Sequence, residues 1–78
     1  MILKMKEVYM YETTDIYIAS TLHALGYQVM EITGDQKKTF SFVAEAEQDA
    51  NRFFQGQLVV DPSRLFYSFK TLKQRIYA

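Results

Sequence analysis

Apolar side chains recur along this chain at two spacings, and the alternation between them divides it into short elements. Residues 3–10 alternate loosely, with Leu3, Met5 and Tyr9 on one side and Lys4, Lys6 and Val8 on the other. This reads as an edge strand, whose outward lysines discourage pairing with other chains. A helical spacing follows, in which Ile18, Leu22 and Leu25 recur with Ala19 beside them. Thr13 or Thr14 can accept a hydrogen bond from a free amide of the first turn. Asp15 adds negative charge there, and Gly26 is placed to end the helix.

The spacing then shortens again. Tyr27 to Thr33 is rich in strand formers, and Lys38 to Val43 sets Phe40 and Phe42 on one face against Thr39 and Ser41 on the other. Gly34-Asp35-Gln36-Lys37 between them is polar and carries a glycine, as a hairpin loop of roughly three to five residues does. The pair is an expected antiparallel hairpin with Phe40 and Phe42 turned toward the helices. A second helix is expected from about Ala46 to Gln55, with Ala46, Ala50, Phe53 and Phe54 as its apolar positions and Gly56 as its stop. Glu45, Glu47 and Asp49 lie in its first turn, the favourable end for negative charge. Leu58-Val59-Val60 reads as a short buried strand. Asp61-Pro62 then places a capping side chain before a proline at the first helical position. The last helix carries Leu65, Phe69, Leu72 and Ile76 as one apolar stripe, expected to seal against the aromatic side of the hairpin.

This order, strand (or arm), helix, two strands, helix, strand, helix, is that of a single small α+β domain over residues 1–78. Its sheet is a small antiparallel one, the hairpin plus one or two further strands, with three helices packed mainly on one face. The opposite face is the weak point: Val29, Glu31, Thr39 and Ser41 point outward, or their neighbours do, depending on register.

Composition narrows the function classes. The chain has no cysteine and a single histidine, His23, so neither a disulfide nor a zinc site is expected to staple this small core. With hydrophobic residues at 49%, including six Phe and six Tyr, tight packing and self-association are the remaining ways to stabilise it. Nine basic residues balance nine acidic ones, so no overall field draws the chain to nucleic acid or anionic lipid. No apolar run approaches the ~20 residues of a membrane span, Lys4, Lys6 and Glu7 interrupt any leader, and a cytoplasmic location is expected.

Several of these signals together resemble a known family. Asp15-Ile16-Tyr17-x-Ala19 leading to Gly26, then Phe40-x-Phe42, Phe53-Phe54-x-Gly56 and Val60-Asp61-Pro62, are similar to a family of short bacterial and phage proteins catalogued as a domain of unknown function. The likeness runs from about Tyr11 to Ile76 and leaves the first residues outside it. Its motifs are caps, core aromatics and turns, and the resemblance implies no activity, cofactor or site residue.

Three function classes can be weighed on the residues. For catalysis, His23 is the one group of near-neutral pKa, and Asp15 on the same helix lies about 12 Å away along the axis. His23 therefore reads as a boundary or surface residue, and neither a catalytic residue nor a cofactor or metal is expected. For nucleic acid, residues 62–78 hold Arg64, Lys70, Lys73 and Arg75 and no acid, with Tyr67 and Tyr77 able to stack on bases. These cations straddle the apolar stripe, Arg64 and Arg75 at one edge, Lys70 and Lys73 toward the other. The favoured class is protein association, including a homodimer. Ile16 and Tyr17 project away from the stripe of the first helix, and Tyr67 lies on the polar face of the last beside Lys70, Thr71 and Gln74. Ile16, Tyr17, Tyr67, Lys70 and Gln74 are thus the candidate contact residues, with Arg64, Lys70, Lys73 and Arg75 for the nucleic-acid alternative.

Overall fold

A computed structural model describes residues 9–77. The elements run β1 (Met10–Thr13), α1 (Ile16–Ala24), β2 (Glu31–Thr33), β3 (Thr39–Val43), α2 (Ala46–Phe54) and α3 (Pro62–Tyr77). The class is α+β, with β3 at the centre of an antiparallel sheet of order β1-β3-β2. The expected alternation over residues 3–8 lies outside the described residues; the strand on this side of α1 is Met10–Thr13, which pairs with β3 from Met10↔Val43 to Thr13↔Phe40.

The hairpin forms as expected, with a five-residue loop, Gly34 to Lys38, between β2 and β3. Gly34 has φ +98°, and a Cβ there would collide with the Lys37 carbonyl oxygen, so the turn requires glycine. β2 is shorter than the Tyr27–Thr33 run suggested. Glu31 faces Ser41, yet the Met30 N–H also donates to the Ser41 carbonyl at 2.7 Å. Two consecutive residues therefore meet one on β3, as at a bulge, and the alternation slips by one. Val29 turns into the core instead of outward, and Met30 is exposed. Thr39 and Ser41 of β3 lie on the face away from Phe40 and Phe42, beside Glu31 and Glu12, but Ser41 is buried, 1% exposed, and not outward as the alternation suggested.

Phe40 and Phe42 face the helices. They are fully buried with Ile18, Ala19 and Leu22 of α1, Ala46 and Ala50 of α2, and Leu72 of α3, so all three helices gather on one side of the sheet. Asp15, rather than Thr13 or Thr14, caps α1: its Oδ1 accepts the Tyr17 N–H at 2.8 Å, while Thr13 Oγ1 accepts the Asp15 N–H. The acidic turn of α2 does more than answer the helix dipole. Glu47 accepts the Tyr9 hydroxyl and Asp49 the Tyr27 hydroxyl, both at 2.9 Å, which ties α2 to the segments flanking β1 and β2. These carboxylate bonds raise both phenol pKa values above the ordinary one.

Two expectations about the second half are corrected. Leu58-Val59-Val60 joins no strand: Val59 is 90% exposed and its neighbours are half-buried, because this connector lies outside the β1-β3-β2 ladder. Phe54, counted with the apolar stripe of α2, is exposed; Ala46 and Ala50 make the buried line, with Phe53 at its margin. The start of α3 is as expected, with Pro62 first in the helix and Asp61 Oδ2 accepting the Arg64 N–H at 3.0 Å.

Candidate functional site

The stripe on α3 divides along its length. Leu72 is fully buried and Ile76 packs against the core, but Leu65 and Phe69 do not seal against the hairpin as expected. α3 runs beside α1, and its first half passes the edge of the core instead of covering it. The result is a groove of about 570 Å³ lined by Tyr17, Ser20 and Thr21 of α1, Phe53 of α2, and Pro62, Leu65, Phe66 and Phe69 of α3. Its walls are mostly apolar. Tyr17 stacks flat on Phe69, ring centres 5.5 Å apart, yet remains 63% exposed, and Phe66 is 66% exposed.

Beneath this groove lies an unusual polar atom. Ser20 Oγ is buried and has no hydrogen-bond partner among the described residues. Thr21, one residue on, satisfies its own hydroxyl by donating to the Tyr17 carbonyl at 2.8 Å. A buried hydroxyl without a partner costs about 1–3 kcal/mol, so the groove floor is not optimised for stability.

The cations of α3 sort by side. Lys70 Nζ lies 5.7 Å from the Phe66 ring centre, and Lys73 Nζ lies 5.3 Å from Phe69 and 5.9 Å from Tyr77. These are cation–π distances, and they put two ammonium groups directly beside the groove. Arg64 instead lines a smaller hollow of about 350 Å³ on the other flank, with His23, Ser63, Tyr67 and Ser68. The four expected nucleic-acid contacts therefore do not form one patch. Of the candidate contact residues, Tyr17 lines the groove, Lys70 stands beside it over Phe66, Tyr67 opens on the smaller hollow, and Gln74 is exposed on α3. Ile16 is corrected. It is half-buried and packs against the core instead of projecting away from it.

His23 is not a simple surface residue either. Its Nδ1 shares a 2.7 Å hydrogen bond with Ser68 Oγ, bridging α1 to α3. Burial, helped by the charge of Arg75, lowers its pKa below the usual 6.5 and favours the neutral ring. A histidine paired with a serine is the beginning of a nucleophilic site, but Ser68 is only 2% exposed and the charged group acting on His23 is a cation, not an orienting carboxylate. The pair acts as a clamp between helices.

Sequence reasoning passed over Phe66 and Ser20, and it read Phe53 only as an apolar core position of the second helix. A signal for the first was present, since Phe66–Lys70 and Phe69–Lys73–Tyr77 stand four residues apart, the spacing at which side chains meet on one helix. No comparable signal marked Ser20, whose burial depends on helices distant in sequence. No helix among the described residues is long and apolar enough to cross a membrane. Set against protein-family models, curated proteins and solved structures, the chain finds no match in any of the three.

Proposed function

We propose that this chain is a non-enzymatic interaction module that receives a partner polypeptide, a second copy of itself included, in the groove between α1 and α3. One observation carries the reading: an apolar groove floored by a buried, unpaired hydroxyl and edged by exposed aromatic rings. Exposed aromatic rings of Tyr17 and Phe66 beside a nearly apolar groove match the aromatic centre of a contact surface. Phe54 and Val59, also exposed, add apolar area on the connector side. The buried hydroxyl of Ser68 and the cationic neighbour of His23 support the non-enzymatic part. The proposal includes a cytoplasmic location and membership of the family of short bacterial and phage proteins, neither of which supplies an activity.

Light scattering up to high micromolar concentration, paired with affinity capture by wild-type, Phe66→Ala and Tyr67→Ala chains, tests it. The expected result is self-association or a captured polypeptide that Phe66→Ala loses and Tyr67→Ala keeps. A strict monomer whose captured proteins are indifferent to Phe66 overturns it.

A second reading has its own observation, the alternation of Lys70 and Lys73 with Phe66, Phe69 and Tyr77 along one flank of α3. Ammonium groups beside open rings suit a single strand of nucleic acid, phosphate to lysine and base to ring. Titration with single- and double-stranded oligonucleotides at low salt tests this, and absence of chemical-shift changes at Lys70, Lys73 and Arg75 removes it.

A further inference from the structure

The geometry points to one occupant for the groove: an acidic amphipathic helix of another protein, an inference that rests on the docking reading above. The argument is charge complementarity around an apolar floor. The residues lining the groove carry no charge, and the cations beside it, Lys70 and Lys73, are held there by the rings of Phe66 and Phe69. Neither lysine forms an ion pair among the described residues, where the one salt bridge joins Arg52 to Asp49 on α2. Asp15 and Asp61, beside Tyr17 and Pro62 in sequence, keep their charge but face the N-terminal amides of α1 and α3, where each accepts a backbone N–H.

The same charges argue against the other occupants. A closed two-fold dimer about this groove brings Lys70 and Lys73 toward their own copies, and α3 has no acid to offset them. Residues 1–8 carry Lys4 and Lys6 against Glu7 and do not complement the rim. Nucleic acid satisfies the lysines but leaves the Leu65, Phe53 and Pro62 wall uncovered. A helix with apolar residues at i, i+3, i+4 and i+7 fills a groove between two helices, and acidic residues beside that stripe meet the ammonium groups.

The test is selection of random peptides of about 16 residues, long enough for some four helical turns, displayed on phage and panned on three full-length chains. These are wild type, Phe66→Ala, and the double variant Lys70→Glu with Lys73→Glu. Because Phe66 and both lysines are exposed, all three chains are expected to fold, and circular dichroism melts confirm it. Wild type is expected to enrich peptides of net negative charge with helical apolar spacing. Their affinity falls about tenfold between low and moderate salt, and about tenfold on Phe66→Ala. The double variant is expected to enrich basic peptides instead. Enrichment that Phe66→Ala abolishes but that ignores peptide charge, with no switch on the double variant, overturns the acidic helix and leaves the docking reading standing. Enrichment indifferent to Phe66, or none at all from a chain that light scattering finds monomeric, overturns both. A 20-nucleotide thymidine strand that binds more tightly than any selected peptide, and is lost on the double variant, assigns the surface to nucleic acid and overturns the inference as well.

Discussion

The two halves of α3 carry the same apolar spacing, and the molecule treats them differently. In the second half Leu72 is wholly enclosed, Ile76 leans on the core, and Ser68 just before them is tied to His23. In the first half Leu65, Phe66 and Phe69 border an open groove. The difference lies in what stands opposite, since the sheet aromatics and the body of α1 back the second half, while Ser20, Thr21 and Phe53 stand back from the first. One end of the helix is enclosed, and the other stays open.

Substitutions can break or sharpen that contrast. Leu72→Ala should cost about 2–5 kcal/mol, because a fully enclosed leucine leaves a cavity, whereas Leu65→Ala should cost less than about half as much; chemical denaturation of both chains compares the halves directly. Equal losses would mean that the groove closes in solution. Asp61→Ala should cost about 0.5–2 kcal/mol by removing the bond to the Arg64 amide that fixes where the open half begins, with the melting temperature as the readout. An unchanged value would place the helix start elsewhere. Ser20→Ala should stabilise the fold by about 0.5–1 kcal/mol, since it removes an unpaired buried hydroxyl and improves helix propensity. A loss instead would reveal a partner for that hydroxyl.

The smallest expected effect is the pH dependence of the clamp. With its folded pKa depressed, His23 binds a proton less readily in the folded than in the unfolded chain, so stability rises with pH through the range below the ordinary value of 6.5. It is fully present above that value and falls as the medium is acidified. Nuclear magnetic resonance should find the His23 titration midpoint below 6.5, and His23→Gln should flatten the slope.

Local signals placed most of the backbone. The Gly34 turn, the Phe40–Phe42 face, the Ala46–Ala50 line and the Asp61-Pro62 start each depend on residues near one another in sequence, and each stands where the pattern placed it. The failures share a cause. Val29 was assigned by strict alternation, which one extra residue at Met30 shifts. Val59 and Phe54 are apolar and were read as buried, but whether an apolar residue is covered depends on an element arriving from elsewhere. The contact residues were half legible for the same reason. Periodicity reports the angle around a helix, which distinguished Tyr17 from the buried stripe, but says nothing of how far a neighbouring helix extends, which opens Leu65 and Phe69 and pairs His23 with Ser68.

The central position of β3 has a consequence for how the sheet assembles. Its pairing with β2 closes a loop of five residues, whereas its pairing with β1 must draw together segments with about 26 residues between them, a difference of about 1.5 kcal/mol in closure entropy. The intervening chain includes α1, and forming that helix takes up slack before the outer strand can dock. A lesion that frays α1 therefore lengthens the tether of β1, and it loosens the sheet from an element that contributes no rung to the ladder.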